Sequence, residues 1–204
     1  GFFELVLDVK EDALLYLVFD EVNIPSPSQP GMIGISFCRN TTHNCITYSI
    51  KKGHYRLLSF EPYAAHFARL VCLGGSLTVS SFKLVRYENP DAHRIRYSFA
   101  NKKIERVFAS AVSTFAQNAV DLLTDCPSRE RAGWLCDSFF SGQTEPLLTG
   151  FNLEEEAFLD AYAKCKKDDL PEGMIPMCYP ADFPSKEYIP NWSLWYILEL
   201  EQFQ

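Results

Sequence analysis

Thr78-Val79-Ser80-Ser81-Phe82-Lys83-Leu84-Val85-Arg86-Tyr87, followed shortly by Asn89-Pro90-Asp91, is the stretch on which the fold turns. Its ten residues alternate approximately between apolar and polar side chains, the period of a strand with one buried face. The Asn-Pro-Asp break ends that period, and beyond Phe99 the apolar spacing is helical. Upstream lie further short runs rich in Val, Ile, Phe, Tyr and Thr, at residues 13–22, 33–39, 45–50, 54–60 and 65–72. Turn-forming clusters separate them, among them Pro25 to Gly31, Lys52-Gly53 and Gly74-Gly75. Six short strands at this spacing predict an antiparallel β-sandwich. Gly1-Phe2-Phe3-Glu4-Leu5 lacks the basic start of a signal peptide and reads as a strand entered partway along.

Downstream, residues 102–123 place Ile104, Val107, Phe108, Ala111, Phe115, Ala119 and Leu122 on one helical stripe. Thr124-Asp125-Cys126-Pro127 should end it, because proline disfavours helical backbone in the residue before it. A second helix is expected over about 132–148, closed by Gly150. A third starts at Asn152, with Glu154, Glu155 and Glu156 on the positive end of its dipole, and runs to about 167. A proline-rich loop spans 171–190, and a last helix begins near Trp192. Strands followed by successive helices make the chain α+β with two domains. The expected division is a β-sandwich over 1–92 and a helical domain over 93–204.

Composition narrows the function. Apolar residues make up 47% of the 204 and aromatics 14%, enough for a packed core and against a disordered chain. A net charge of -7 argues against a duplex nucleic-acid surface, and no apolar run reaches the ~18 residues of a bilayer-spanning helix. Neither a nucleic acid nor a membrane is an expected partner. The seven cysteines (Cys38, Cys45, Cys72, Cys126, Cys136, Cys165, Cys178) include no C-x-x-C pair, which disfavours zinc. They read as small buried hydrophobes in a reducing compartment. No phosphate loop or metal-ligand spacing occurs, so no cofactor and no metal are implied. A serine hydrolase is disfavoured too. There is no G-x-S-x-G, and the histidines, His43, His54, His66 and His93, are expected in or beside the sandwich.

The densest chemistry lies at 125–137: Asp125-Cys126-Pro127-Ser128-Arg129-Glu130-Arg131-Ala132-Gly133-Trp134-Leu135-Cys136-Asp137. Were the second helix to begin near Glu130, then Glu130, Trp134 and Asp137 would share one helical face. Asp125 could reach the same space from the loop. Acids beside a flat aromatic suit a sugar, whose hydroxyls pair with carboxylates and whose ring packs on an indole. The same acids could equally be helix caps neutralised by Arg129 or Arg131.

This segment resembles the hallmark of the α-L-rhamnosidases, bacterial glycoside hydrolases. Its Asp-Cys-Pro, Arg, Glu-Arg-x-Gly-Trp and final Asp fall on Asp125-Cys126-Pro127, Arg129, Glu130-Arg131, Gly133-Trp134 and Asp137. Cys136 stands where that family usually has glycine. More loosely, 60–70 resembles a strand of the β-sandwich preceding the catalytic domain. Gly173-Met174-Ile175-Pro176 and Ile189-Pro190-Asn191-Trp192-Ser193 resemble early loops of its barrel. The resemblance implies the first helices of an (α/α)6 barrel and hydrolysis of terminal α-L-rhamnosides with inversion. By the same resemblance Glu130 is the general acid, and Asp125, Arg129, Trp134, Asp137 and, more weakly, Trp192 bind substrate. The general base of that family lies much further along the barrel, so this chain alone is expected to turn over little or nothing. The implied partner is a rhamnose-containing glycoside or polysaccharide, and helix faces without barrel neighbours could pair two copies of the chain. Two other readings stand beside this one: a carbohydrate-binding sandwich, and a scaffold with no sugar affinity.

Overall fold

The computed structural model describes residues 1–23, 38–39, 42–165, 170–181 and 188–203. They form two compact units, Gly1–Tyr87 and Glu88–Gln204.

The first unit is built on two central strands. β1 (Phe2–Val9) and β2 (Ala13–Asp20) each turn alternate side chains inward: Phe3, Leu5, Leu7 and Val9 from one, Ala13, Leu15, Leu17 and Phe19 from the other. Ile50 completes this core. Between them the chain changes sheets. β3 (Cys38–Arg39) and β4 (Thr42–His43) pair with each other, and β5 (Cys45–Ile50), β6 (Gly53–Leu58), β7 (Phe67–Leu73) and β8 (Leu77–Val85) follow. One antiparallel sheet has the order β6-β1-β8 and the other β5-β2-β7. Both sheets bury their inner faces in one core, the β-sandwich expected. β1, whose first five residues read as a strand entered partway along, is the middle strand of its sheet. Most of the strand expected at 33–39 lies outside the described residues. Several ends are corrected: Glu21 and Val22 are beyond β2, Phe60 is 96% exposed and beyond β6, Ala65 and His66 precede β7, and Arg86 and Tyr87 are beyond β8.

Four helices are described in the second unit. α1 (Lys102–Asn118) starts on Asn101, whose side chain accepts from the Lys103 N–H. It stops at Asn118, several residues before Cys126-Pro127. The Thr124 amide and hydroxyl both turn back to the Asn118 carbonyl, so the chain reverses before the proline matters. Only Val112, Phe115 and Ala116 of α1 are buried, and Ile104 and Val107, expected on the apolar stripe, are exposed. α2 (Leu135–Thr149) ends on Gly150 in the left-handed region, where glycine has no Cβ to clash. α3 (Leu153–Lys164) follows Asn152, and α4 (Pro190–Phe203) opens on a proline, which gives up no helical hydrogen bond there. α2 packs on α3 and α4 around Leu135, Leu148, Phe158 and Tyr162. His93 belongs to this unit rather than to the sandwich. The six cysteines other than Cys38 form no disulfide among the described residues, but only Cys165 and Cys178 are buried and Cys72 is exposed, so the buried-hydrophobe reading holds for two. Among the described residues no helix is long and apolar enough to cross a membrane.

Candidate active site

Residues 119–134 form a loop, not the start of a helix, so the expected single helical face for Glu130, Trp134 and Asp137 is corrected. α2 begins at Leu135 with Trp134 as its N-cap. The helix starts late because the backbone of this segment is committed elsewhere. The Asp125 N–H donates to the Ala132 carbonyl, and the Ala132 N–H donates to Asp125 Oδ1, both at 3.1 Å. These two bonds close residues 125–132 into a loop. Within it the Glu130 N–H points at Cys126 Sγ, 3.4 Å away, and Arg131 has a positive φ of 50°. Gly133 is gripped next. Its N–H donates to the Pro180 carbonyl, while its carbonyl accepts from the Tyr179 N–H at 2.9 Å and the Tyr162 hydroxyl at 2.7 Å.

The loop leaves the carboxyls of Asp125 and Glu130 within electrostatic reach of Asp137. Asp137, in the first turn of α2, has its pKa raised first by loss of surrounding water, then by the charge of Asp125 and, more weakly, of Glu130. Arg129 forms an ion pair with Glu130, so the acid and the guanidinium of the expected constellation are neighbours. Trp134 and Trp192, the latter in the first turn of α4, pack on the same small cluster of Ala132, Met177 and Cys178. Trp192 Nε1 is buried without a hydrogen-bond partner among the described residues. Ile189 to Ser193, read as a loop, lies mostly inside α4. Among the described residues no group of three or more His, Cys, Asp or Glu is placed to hold a metal ion.

A family profile described as the bacterial alpha-L-rhamnosidase 6 hairpin glycosidase domain matches residues 96–201, more than half of the chain and all of this site. The chain belongs to this family. Fold comparison finds a similar architecture. A solved structure described as a rhamnosidase from Klebsiella oxytoca with rhamnose bound superposes with a TM-score of 0.69 over 100% of this rhamnosidase-family chain, at 14% sequence identity. The chain spans 41% of the length of that protein. No curated protein matches it.

Sequence reasoning missed a second set of acids in this rhamnosidase-family unit. Glu199, read as last-helix surface, is 0% exposed, and Glu155, read as a first-turn dipole partner, is buried. Glu145, not singled out at all, is also 0% exposed. A helical-wheel reading could have found Glu199, whose flanking turns carry Trp195, Tyr196 and Phe203, which is where a core position lies. Glu145 gives no such signal, because Ser141 and Gly142 occupy the turn before it.

Proposed function

We propose that this chain carries the general acid of an inverting α-L-rhamnosidase. In this reading Glu130 protonates the departing glycosidic oxygen, and Asp125 and Asp137 accept hydrogen bonds from the sugar's hydroxyls. Trp134 covers the apolar side of the ring, and Trp192 supplies a second aromatic wall. One observation carries the reading: in a chain of this family, the carboxyls of Asp125, Glu130 and Asp137 are near enough for the first two to perturb the third. Such crowding is what an acid-handling site requires, whereas isolated caps stand apart. Arg129, ion-paired with Glu130, is placed to orient that carboxyl or to meet a sugar hydroxyl itself. Inversion needs a second carboxylate roughly 6.5–9.5 Å from the first, activating water on the opposite face. We assign that base to no residue of this chain, and residues 1–204 alone are expected to show negligible turnover.

The test is release of nitrophenol from nitrophenyl α-L-rhamnoside by this chain and by a chain extended downstream. The extended enzyme should hydrolyse it, and Glu130→Gln should lower kcat/KM by about 10²–10⁴-fold. An unaltered rate in Glu130→Gln removes Glu130 from the acid role.

A second reading, sugar binding by the sandwich, is favoured by a cavity of about 350 Å³ lined by Phe3, His66, Phe67, Phe82 and Lys83 among others. Titration calorimetry with rhamnose separates the two. Binding lost in Asp125→Ala supports the helical site, and binding lost only in Phe82→Ala supports the sandwich.

A further inference from the structure

Glu145 on α2, Glu155 on α3 and Glu199 on α4 lie in the interior of the helical unit and have no part in the reading above. The hydrogen bonds of Glu199 are the informative ones. Its Oε2 is 2.8 Å from Ser138 Oγ, and that same Oγ is 2.7 Å from the Leu135 carbonyl oxygen. A serine hydroxyl has one hydrogen and cannot make a full bond to both. With an ionised Glu199 the one hydrogen would be split between two acceptors, whereas a protonated carboxyl supplies a second hydrogen and makes both contacts full bonds.

We propose that Glu199 is kept as a neutral carboxylic acid that donates to Ser138 Oγ while Ser138 donates to Leu135, so that one proton ties α4 to the first turn of α2. Its other oxygen fits the same state. Glu199 Oε1 is buried with no hydrogen-bond partner among the described residues. The carbonyl oxygen of a neutral acid bears that burial at far less cost than a carboxylate does. The groups that face it agree. Glu155 faces it from α3, Tyr162 lies behind it on the same helix, and Tyr196 stands one turn away on α4. From α2 it meets the uncharged Ser138. None of these is a cation.

Burial first, with the charge of Glu155 adding to it, outweighs the opposing hydrogen bond with Ser138 and pushes the Glu199 pKa up to about 8. The sign follows from linkage. With a folded pKa above the ordinary 4.5, the native state holds a proton that the unfolded chain releases. The stabilisation is complete below about pH 4.5 and is lost as pH rises towards 8. The tether thus works as an alkaline release. Asp137 precedes Ser138 on the same turn, so release also frees the base of that carboxylate; this consequence rests on the functional reading, and the tether does not.

The test uses the full chain and no sugar. Infrared difference spectra of wild type against Glu199→Gln at pH 7 should show a protonated-carboxyl C=O band that the variant lacks. Urea unfolding from pH 5 to 8 should give a wild-type unfolding constant that rises with pH more steeply than that of Glu199→Gln, by up to tenfold per pH unit. Absence of any protonated-carboxyl band in wild type at pH 7 overturns the proposal, as does a Glu199→Gln spectrum that has lost no part of that band or a slope equal to that of wild type; Glu145, also raised to about 8, contributes equally to both proteins and cancels in the comparison. Should that variant not fold, Ser138→Ala takes its place. It removes the acceptor of the proton, so the band must shift, and an unmoved band overturns the assignment.

Discussion

At the scale of single residues, Gly133 shows how closely the loop before α2 is held. A Cβ there would sit well inside van der Waals contact of the Tyr179 carbonyl oxygen and 2.8 Å from Phe158 Cε2. Its neighbours are backbone and a buried ring, so neither can yield cheaply. Gly133→Ala should therefore destabilise the helical unit by about 3 kcal/mol, read by urea denaturation followed by circular dichroism. The glycine of the Glu-Arg-x-Gly-Trp pattern is thus explained by steric clearance. Asp125 carries two duties in the same loop. Its Oδ1 accepts the Ala132 N–H that closes the loop, so Asp125→Asn should keep the fold within about 1 kcal/mol of wild type, while Asp125→Ala should cost about 1–2 kcal/mol. Equal stability of Asp125→Ala and wild type would remove the structural half of this account.

Among the helices, the N-terminus of α3 is capped from outside. Asn152 makes no side-chain cap bond and gives its amide to Glu155 Oε2 at 2.6 Å instead. The capping falls to Glu145 of α2, whose two carboxyl oxygens accept the N–H groups of Glu154 and Glu155, each at 2.9 Å. A carboxyl placed there meets both the unpaired donors and the positive end of the helix dipole. Burial, and then the neighbouring Glu154 carboxyl, nevertheless push the Glu145 pKa up to about 8. Glu145→Ala leaves two buried donors without acceptors and should cost about 2–4 kcal/mol, seen as early loss of amide protection in the first turn of α3 by hydrogen exchange. The approach of α2 to α3 needs Gly142, where any Cβ would run into the Glu155 carboxyl.

Over the whole molecule, the two units respond to pH with opposite signs. Glu145 and Glu199 in the helical unit have raised pKa values of about 8, so their contribution is complete below about 4.5 and is lost towards pH 8. In the sandwich, Lys10 first and His54 after it lower the Asp8 pKa, and Lys51 first, then the Lys52 N–H, lower that of Asp12. Those contributions are present above the ordinary carboxyl pKa and are lost on acidification, and exposure to solvent keeps them small. Segment-resolved hydrogen exchange should show the helical unit loosening first as pH is raised from 5 to 8.5, with little change in β1 and β2. The same unit exposes Leu194, Ile197, Leu198 and Leu200 on α4.

By itself the sequence determined the order of the architecture, strands and then helices, because periods of two and of 3.6 are set by backbone geometry wherever one face is buried. It also marked 125–137 as the chemical segment, since a density of acids, arginines and tryptophan is visible without coordinates. Long-range contacts decided the rest. α1 stops at Asn118 because Thr124 folds back on it, and α2 waits until Leu135 because Asp125 and Ala132 close a loop that local propensity does not encode. The electrostatic reach of Asp125 and Glu130 to Asp137 comes from that loop and not from helical spacing. Burial of Glu145 and Glu155 was illegible for a related reason: a glutamate reads as solvated until the neighbours that enclose it are supplied by other helices.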